Sequence, residues 1–340
     1  MPGLKAFLIR RFLTFIPTLI GVTFLVFIVA NVIPVNPARA WAGGEKAKPE
    51  VIERIKREYH LNDPWYVQYA FFIEKIFKNE IVSPRTHNRI WDDLIYGVGE
   101  SRYGRFFITL QLALIALLYV IFIGIPLGIL SALKKDTVLD TAVRILALIG
   151  VSSPNFWLGY LLIYLFFVKF HLISIAGIPQ PTLKITGIMI LDALLQGEYG
   201  IAFEIISRLS LPAFVLGFIE IGIVARMTRN SFLDAWTSSY VDFGEARGLR
   251  KTMLIRHALK NALVPIITIV GIEFGYLLGG SPIIETVFGI PGLGKYMIEA
   301  IYYFDYPALI GSVLLFALTF MVVNLIADIL YAFVDPRIRY

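Results

Sequence analysis

Phe106–Leu133 reads FFITLQLALIALLYVIFIGIPLGILSAL, and no Asp, Glu, Lys or Arg interrupts it. A bilayer core about 30 Å thick needs roughly 20 apolar residues per helix, so this stretch is long enough to span one. Phe12–Ala30 is apolar apart from threonines, a proline and a glycine, and Ile145–Val168 and Tyr306–Ala327 carry no charge. Leu209–Ala225 carries one acid, Glu220, and Ala262–Ile284 carries one, Glu273. These runs predict an all-α, polytopic membrane protein with six transmembrane helices.

Composition agrees: 57% of the 340 residues are hydrophobic and 16% charged, too little polar surface to wrap a soluble globule of this size. With no cysteine there are no disulfides or thiolate metal sites, and His60, His87, His171 and His257 stand too far apart to form a ligand pair. The net charge of +6 could suit nucleic acid, but basic residues beside apolar spans are read as topology determinants, so the expected environment is a lipid bilayer.

Orientation follows from Lys and Arg in the short loops. Lys5, Arg10 and Arg11 precede the first span; Lys134, Lys135 and Arg144 follow the second. Arg226, Arg229, Arg247, Arg250, Lys251, Arg256 and Lys260 lie between the fourth and fifth, and Arg337 and Arg339 end the chain. The opposite short loops hold Lys169, Lys184, Arg208 and Lys295. Both termini are expected in the cytoplasm of a cell (inner) membrane protein. A cleavable secretory signal is the rival reading of the first span, but its apolar core is longer than such signals use.

The expected organisation is a first transmembrane helix (1–32), an extracytoplasmic cap (33–105), a five-helix core (106–331) with a cytoplasmic loop (226–260), and a tail (332–340). Within the cap, Pro49 marks the first turn of a helix with Val51, Ile52, Ile55 and Tyr59 at helical spacing, and Trp65–Phe77 is strongly aromatic. The 171–207 loop is expected at the outer interface.

The 226–260 loop has room for two short helices broken near Gly244 and Gly248, in Tyr240-Val-Asp-Phe-Gly-Glu-Ala-Arg-Gly-Leu249. Glycines there permit a tight reversal and a close approach by another surface. Such a loop is read either as an ordinary connector or as a grip for a partner.

From Tyr240 to Pro265 the order Tyr-Val-Asp, Ala-Arg-Gly-Leu, Arg-His-Ala-Leu-Lys-Asn-Ala-Leu-Val-Pro resembles the cytoplasmic loop of binding-protein-dependent ABC importer permeases, the branch serving dipeptides and oligopeptides. Further matches keep the family's order along nearly the whole chain: Ile16-Pro-Thr-Leu19, Pro34-Val-Asn-Pro37, Gly124-Ile-Pro-Leu-Gly128 and Pro154-Asn-Phe-Trp157. Leu211-Pro-Ala213, Glu285-Thr-Val-Phe288, Pro291-Gly-Leu-Gly294, Asp305-Tyr-Pro307 and Asp335-Pro-Arg-Ile-Arg339 complete the set. Departures are Lys260-Asn261 where the family often has Pro-Asn, Val35-Asn36 for Gly-Asp, and a Gly248-to-His257 spacing one residue short.

The resemblance implies the ABC type I importer transmembrane domain and a coupling helix seated in a groove of an ATPase subunit. By position, Asp242, Gly244, Glu245, Ala246 and Gly248 would form the coupling element, with Arg247 and His257 flanking it. The implied partners are a second homologous permease subunit, two cytoplasmic ATPase subunits and an extracytoplasmic solute-binding protein. ATP and Mg would bind in the ATPase partners. Consistently, this chain has no Gly-x-x-x-x-Gly-Lys-Ser/Thr loop and no catalytic constellation, so no enzymatic activity is expected of it.

Within the membrane, Glu273 is the first candidate for the solute path, since a carboxylate near a helix centre is costly and tends to face a cavity. Protonation, or bonding to a neighbouring helix, is the alternative. Asn155 is a second candidate, and helix–helix hydrogen bonding is its alternative. Glu220 is read as snorkelling towards Arg226 and the cytoplasmic face. The expected function is ATP-driven import of peptides by alternating access, with oligosaccharides or nickel as alternative cargo. An ion-gradient-driven transporter is the reading from a different class, and it would want paired intramembrane acids.

Overall fold

In the computed structural model, which describes residues 2–31, 36–42, 47–98, 102–172 and 177–334, the apolar runs are helical, and no strand occurs among the described residues. Pro34-Val35 and the Asp335–Arg339 motif lie outside them. Helix α1 (Pro2–Asn31) is followed by three shorter helices, α2 (Pro37–Trp41), α3 (Pro49–Glu58) and α4 (Trp65–Phe77), in the segment expected to form a cap. Pro49 opens α3 as expected, where a missing N–H is no loss. An aromatic cluster joins α4 to α1: Tyr69 of α4 lies edge-on to Phe24 and Phe27 of α1, at 5.5 and 5.4 Å between ring centres.

Helix α5 (Arg105–Tyr119), a π-helical turn (Val120–Gly124) and α6 (Ile125–Leu133) form one rod of 29 residues. The wider turn directly precedes Pro126, whose ring and missing N–H cannot continue the regular ladder. Helix α7 (Val138–Ser152) follows, N-capped by the Thr137 hydroxyl. The expected third span then breaks: α8 (Asn155–Ile163) and a π-helical extension to Lys169 leave α7 at 102°. Pro154 forces the break, because it disfavours the helical conformation at Ser153, whose ψ is 126°.

Helix α9 (Met189–Leu195) and α10 (Tyr199–Trp236) follow. The 177–188 loop before them is organised by Asp192, whose carboxylate accepts the N–H groups of Ile185 (3.0 Å) and Thr186 (2.7 Å). Burial raises the affinity of that carboxylate for a proton, but the hydrogen bonds from Thr186 and Ile185 outweigh it and hold Asp192 below the usual range. A short α11 (Ser239–Ala246) separates α10 from α12 (Lys251–Phe288), and α13 (Leu293–Tyr302) and α14 (Tyr306–Val334) complete the chain.

Four helices are long and apolar enough to cross a membrane: Arg105–Leu133, Tyr199–Trp236, Lys251–Gly279 and Tyr306–Ala327. The bent α7–α8 pair makes a fifth if it is one span, whereas the described apolar stretch of α1, Leu13–Val29, is shorter. Among the described residues the full-length spans thus number four or five, against six expected. Helix α10 is central. Buried residues occupy every side of its middle, from Leu209 to Thr228, and it packs on α5–α6, α7 and α12.

Two of the long helices run past the apolar limits read from sequence. Helix α10 extends to Trp236 and α12 begins at Lys251, so only 237–250 connects them, with one short helix rather than two. Helix α12 continues through Pro265 and Pro282. At Pro282 the carbonyl of Leu278 loses its helical donor, and the Ser281 hydroxyl bonds to it instead at 3.0 Å.

Candidate functional site

The connector between α10 and α12 is a helix closed by a left-handed residue. Gly248 has φ +78°, its N–H bonds the Glu245 carbonyl at 2.8 Å, and the Leu249 N–H bonds the Gly244 carbonyl at 3.1 Å. This pair of bonds is a Schellman closure, and only glycine adopts its φ without strain. Gly244, expected to break the helix, lies inside α11 and is buried. Its missing side chain leaves room for the partner helix, since a Cβ there would stand 2.7 Å from Leu254 Cδ2 and 3.3 Å from Leu249 Cδ1.

The outer side of this turn is free. Asp242, Glu245, Ala246, Arg247 and Gly248 are exposed, as are Tyr240 and Phe243, with Arg247 stacked on the Phe243 ring at 4.4 Å. His257 is exposed on the second turn of α12. An exposed patch of two aromatic rings and both charge signs has the composition of a docking surface.

Helix α12 joins this turn to the intramembrane acid. At 1.5 Å per residue, Glu273 stands about 33 Å along the helix from Lys251. It is buried at the α10 interface and close enough to Glu220 for the two carboxylates to interact electrostatically. Glu220 therefore does not snorkel. It is 7% exposed, and its Oε2 has no hydrogen-bond partner.

Asn155 is the first residue of α8. Gly150 of α7 abuts Phe218 of α10 and Gly159 of α8 abuts Val287 and Phe288 of α12, and Asn155 lies between these two glycines in the chain. Its Oδ1 is likewise buried without a hydrogen-bond partner. Asn155 of α8 and Glu220 of α10 thus each bury an oxygen with unfilled hydrogen-bonding capacity, a costly arrangement in the absence of a ligand or water.

Three polar clusters escaped the sequence reading. Glu285, fully buried, accepts the Thr109 hydroxyl at 2.5 Å and the Lys295 N–H at 2.8 Å, while Thr109 accepts the Leu293 N–H at 2.8 Å. The Pro291-Gly-Leu-Gly294 turn wraps this carboxylate, because a Cβ at Gly292 would fall 2.5 Å from Glu285 Cδ. At the cap, Arg85 pairs with Glu299 at 3.0 Å and lies over the rings of Tyr296 and Tyr303, and Ser83 hydrogen-bonds Asp305. Asp305 is held above the usual carboxylate range by burial, although Ser83 and the Ala308 N–H oppose the shift. On α7, Asp140 receives Arg229 through Nε at 2.7 Å and Nη2 at 2.8 Å. The motifs containing Glu285 and Asp305 were visible in the sequence, but pairing across 176 and 222 residues has no local signal.

Among the described residues no cluster of His, Cys, Asp and Glu is arranged to hold a metal ion. Residues 124–340 match the family described as binding-protein-dependent transport system inner membrane component, and residues 4–89 match the N-terminal region of such membrane components. The dipeptide transport system permease protein of Alkalihalophilus pseudofirmus is 36% identical, covering 98% of this chain and 99% of its own. A probable D,D-dipeptide transport system permease of Escherichia coli strain K12 is 38% identical over 94% of this chain and 93% of its own. The glutathione transport system permease of Salmonella choleraesuis is 32% identical over 98% and 99%.

Proposed function

We propose, starting from the fact that this chain belongs to the family of binding-protein-dependent transport system inner membrane components, that it forms half of the pore of an ATP-driven peptide importer. A permease subunit of this family is a multi-pass membrane protein and not itself a catalyst. Peptide is the cargo favoured over oligosaccharide or nickel, because the relatives above are named for dipeptides and for glutathione, a small peptide. The solute-binding protein selects the cargo and docks on the cap at 33–105, while ATP and Mg bind in two cytoplasmic ATPase subunits. A second, homologous permease supplies the other half of the pore within the 106–331 core. Both termini and the α11 turn lie in the cytoplasm.

The observation that carries this reading is the exposed α11 turn seated on the first turns of a 38-residue helix that reaches Glu273. An ATPase pair gripping Asp242, Glu245, Ala246, Arg247 and Gly248, with His257 at the flank, moves α11. Leu254, bedded on Gly244, passes that displacement to α12, and α12 alters its interface with α10. ATP acts by favouring one of two conformations, since only a differential affinity shifts such an equilibrium. Glu273 and Asn155, joined by Glu220, line the path. A carboxylate pair there suits the ammonium terminus of a peptide, and unfilled hydrogen-bond groups are what a passing solute satisfies.

The test is reconstitution of the chain with its copurifying subunits in liposomes. Peptide-loaded binding protein should stimulate both ATP turnover and peptide uptake, and Gly248→Trp with Glu245→Arg should abolish the stimulation while leaving the subunits assembled. Uptake driven by an ion gradient without ATP would overturn the reading.

A further inference from the structure

Between α7 and α10 lies a cavity of about 340 Å³ whose two ends differ in chemistry. At one end converge Arg144, Arg226, Arg229 and Asn230. Arg144 is in the second turn of α7 and Arg226–Asn230 near the end of α10, so this end lies on the side of the membrane that carries the α11 turn. Asp140 neutralises Arg229 by the two-bond pairing, and Arg144 stands 3.7 Å from the same carboxylate. Asp136 is within electrostatic reach of Arg229, but Lys134 and Lys135 flank it in the same turn. Arg226 has no hydrogen-bond or ion partner among the described residues. The site therefore keeps an excess of positive charge.

Away from the arginines the walls are apolar. Val143, Ala147 and Val151 follow one another at four-residue spacing on α7, a stripe about 12 Å long. Helix α10 contributes Gly222 and Ala225 as a floor, and Gly222 is packed so closely that a Cβ would stand 2.9 Å from the Ala147 Cα. Leu148 and Val151 are 66% and 49% exposed, so the apolar half opens sideways, where the bilayer meets α7.

We propose that this cavity binds one anionic phospholipid, its phosphate between Arg144 and Arg226 and one acyl chain along the Val143–Val151 stripe. Basic pockets at the ends of membrane helices attract anionic headgroups, and an acyl chain fits the dry walls as apolar area removed from water. An acidic side chain of a neighbouring subunit would satisfy only the charged end and leave the apolar stripe empty. The lipid would brace the bent α7–α8 pair against α10. This assignment does not depend on the cargo or on ATP coupling.

The intact complex, purified in mild detergent, is titrated with phosphatidylglycerol, with phosphatidylcholine of the same chains, and with glycerol phosphate, reading bound lipid by native mass spectrometry and thermal stability. Phosphatidylglycerol alone should bind and raise the melting temperature. The Arg144→Gln, Arg226→Gln variant, which leaves the Arg229–Asp140 pair intact, should bind it on the order of tenfold or more weakly. Equal binding of phosphatidylcholine, or unchanged affinity in the variant, overturns the proposal. Glycerol phosphate matching the lipid would make this a phosphate pocket instead. Loss of a partner subunit from the variant, with lipid retained, would make it a protein interface. Because the three-probe comparison on the unmodified complex stands alone, poor folding of the variant does not rescue the proposal.

Discussion

Leu254 of α12 occupies the space that a side chain at Gly244 of α11 would need, with a Cβ there falling 2.7 Å from Leu254 Cδ2. The contact fixes α11 to the base of α12, and displacement of one is displacement of the other. In a well-packed contact even a methyl group is felt.

Gly244→Val should therefore shift α11 on α12 and reduce peptide-stimulated ATP turnover, while complex assembly in size-exclusion chromatography is retained. Gly248→Ala acts through the backbone, since a left-handed residue other than glycine costs roughly 1–2 kcal/mol. A Gly248→Asn variant, which tolerates that conformation better, should recover most of the loss. Equal damage by Ala and Asn would contradict the assignment of φ as the cause.

Glu273→Gln and Glu220→Gln each replace one buried carboxyl but keep the side-chain volume. Peptide uptake in liposomes should fall with either change, and basal ATP turnover should not. If both variants transport normally, the pair is structural and the path runs elsewhere.

Much of this was legible in the residues. Charge-free runs located the apolar helices, and Pro49 marked a helix start. The 102° turn after Ser152 was not readable, since a proline announces a boundary but not an angle. Nor was the fate of Glu220: its four-residue neighbours on α10 suggest a helix face, but only the packing of α12 shows that the face is buried. Gly244 and Gly248 looked alike in sequence, yet one serves close packing and the other a left-handed φ, a distinction set by neighbours 5 to 10 residues away.

Glu285→Ala should be among the most destabilising single changes in the chain. It strands the Thr109 hydroxyl and the Lys295 N–H in a buried site, and each unsatisfied buried group costs about 1–3 kcal/mol. The Glu285→Gln variant restores an acceptor and should melt between the two. Thermal unfolding of the purified complex measures the order, and an Ala variant as stable as the parent would remove the turn-anchoring role.

Stability should respond to pH through Asp305, which Ser83 hydrogen-bonds. Its proton affinity is raised by burial, so the folded state binds a proton that the unfolded state releases. The contribution is fully present below the ordinary carboxylate range and is lost as pH rises through the elevated folded value. Stability against heat should increase on acidification through that window, and Asp305→Asn should flatten the dependence. A slope of opposite sign in the parent, or one unchanged in the variant, would contradict the assignment.

The most direct measurement uses the absence of cysteine from the chain. A single Glu245→Cys change places one thiol on the exposed α11 turn, and a maleimide carrying a photoreactive benzophenone, once attached to it and illuminated, links it to whatever protein lies within reach in the intact complex. The account predicts an adduct with a copurifying ATPase subunit that changes in yield when ATP is bound. An adduct confined to the second permease or to the binding protein, or none at all in a complex that still hydrolyses ATP, would contradict it.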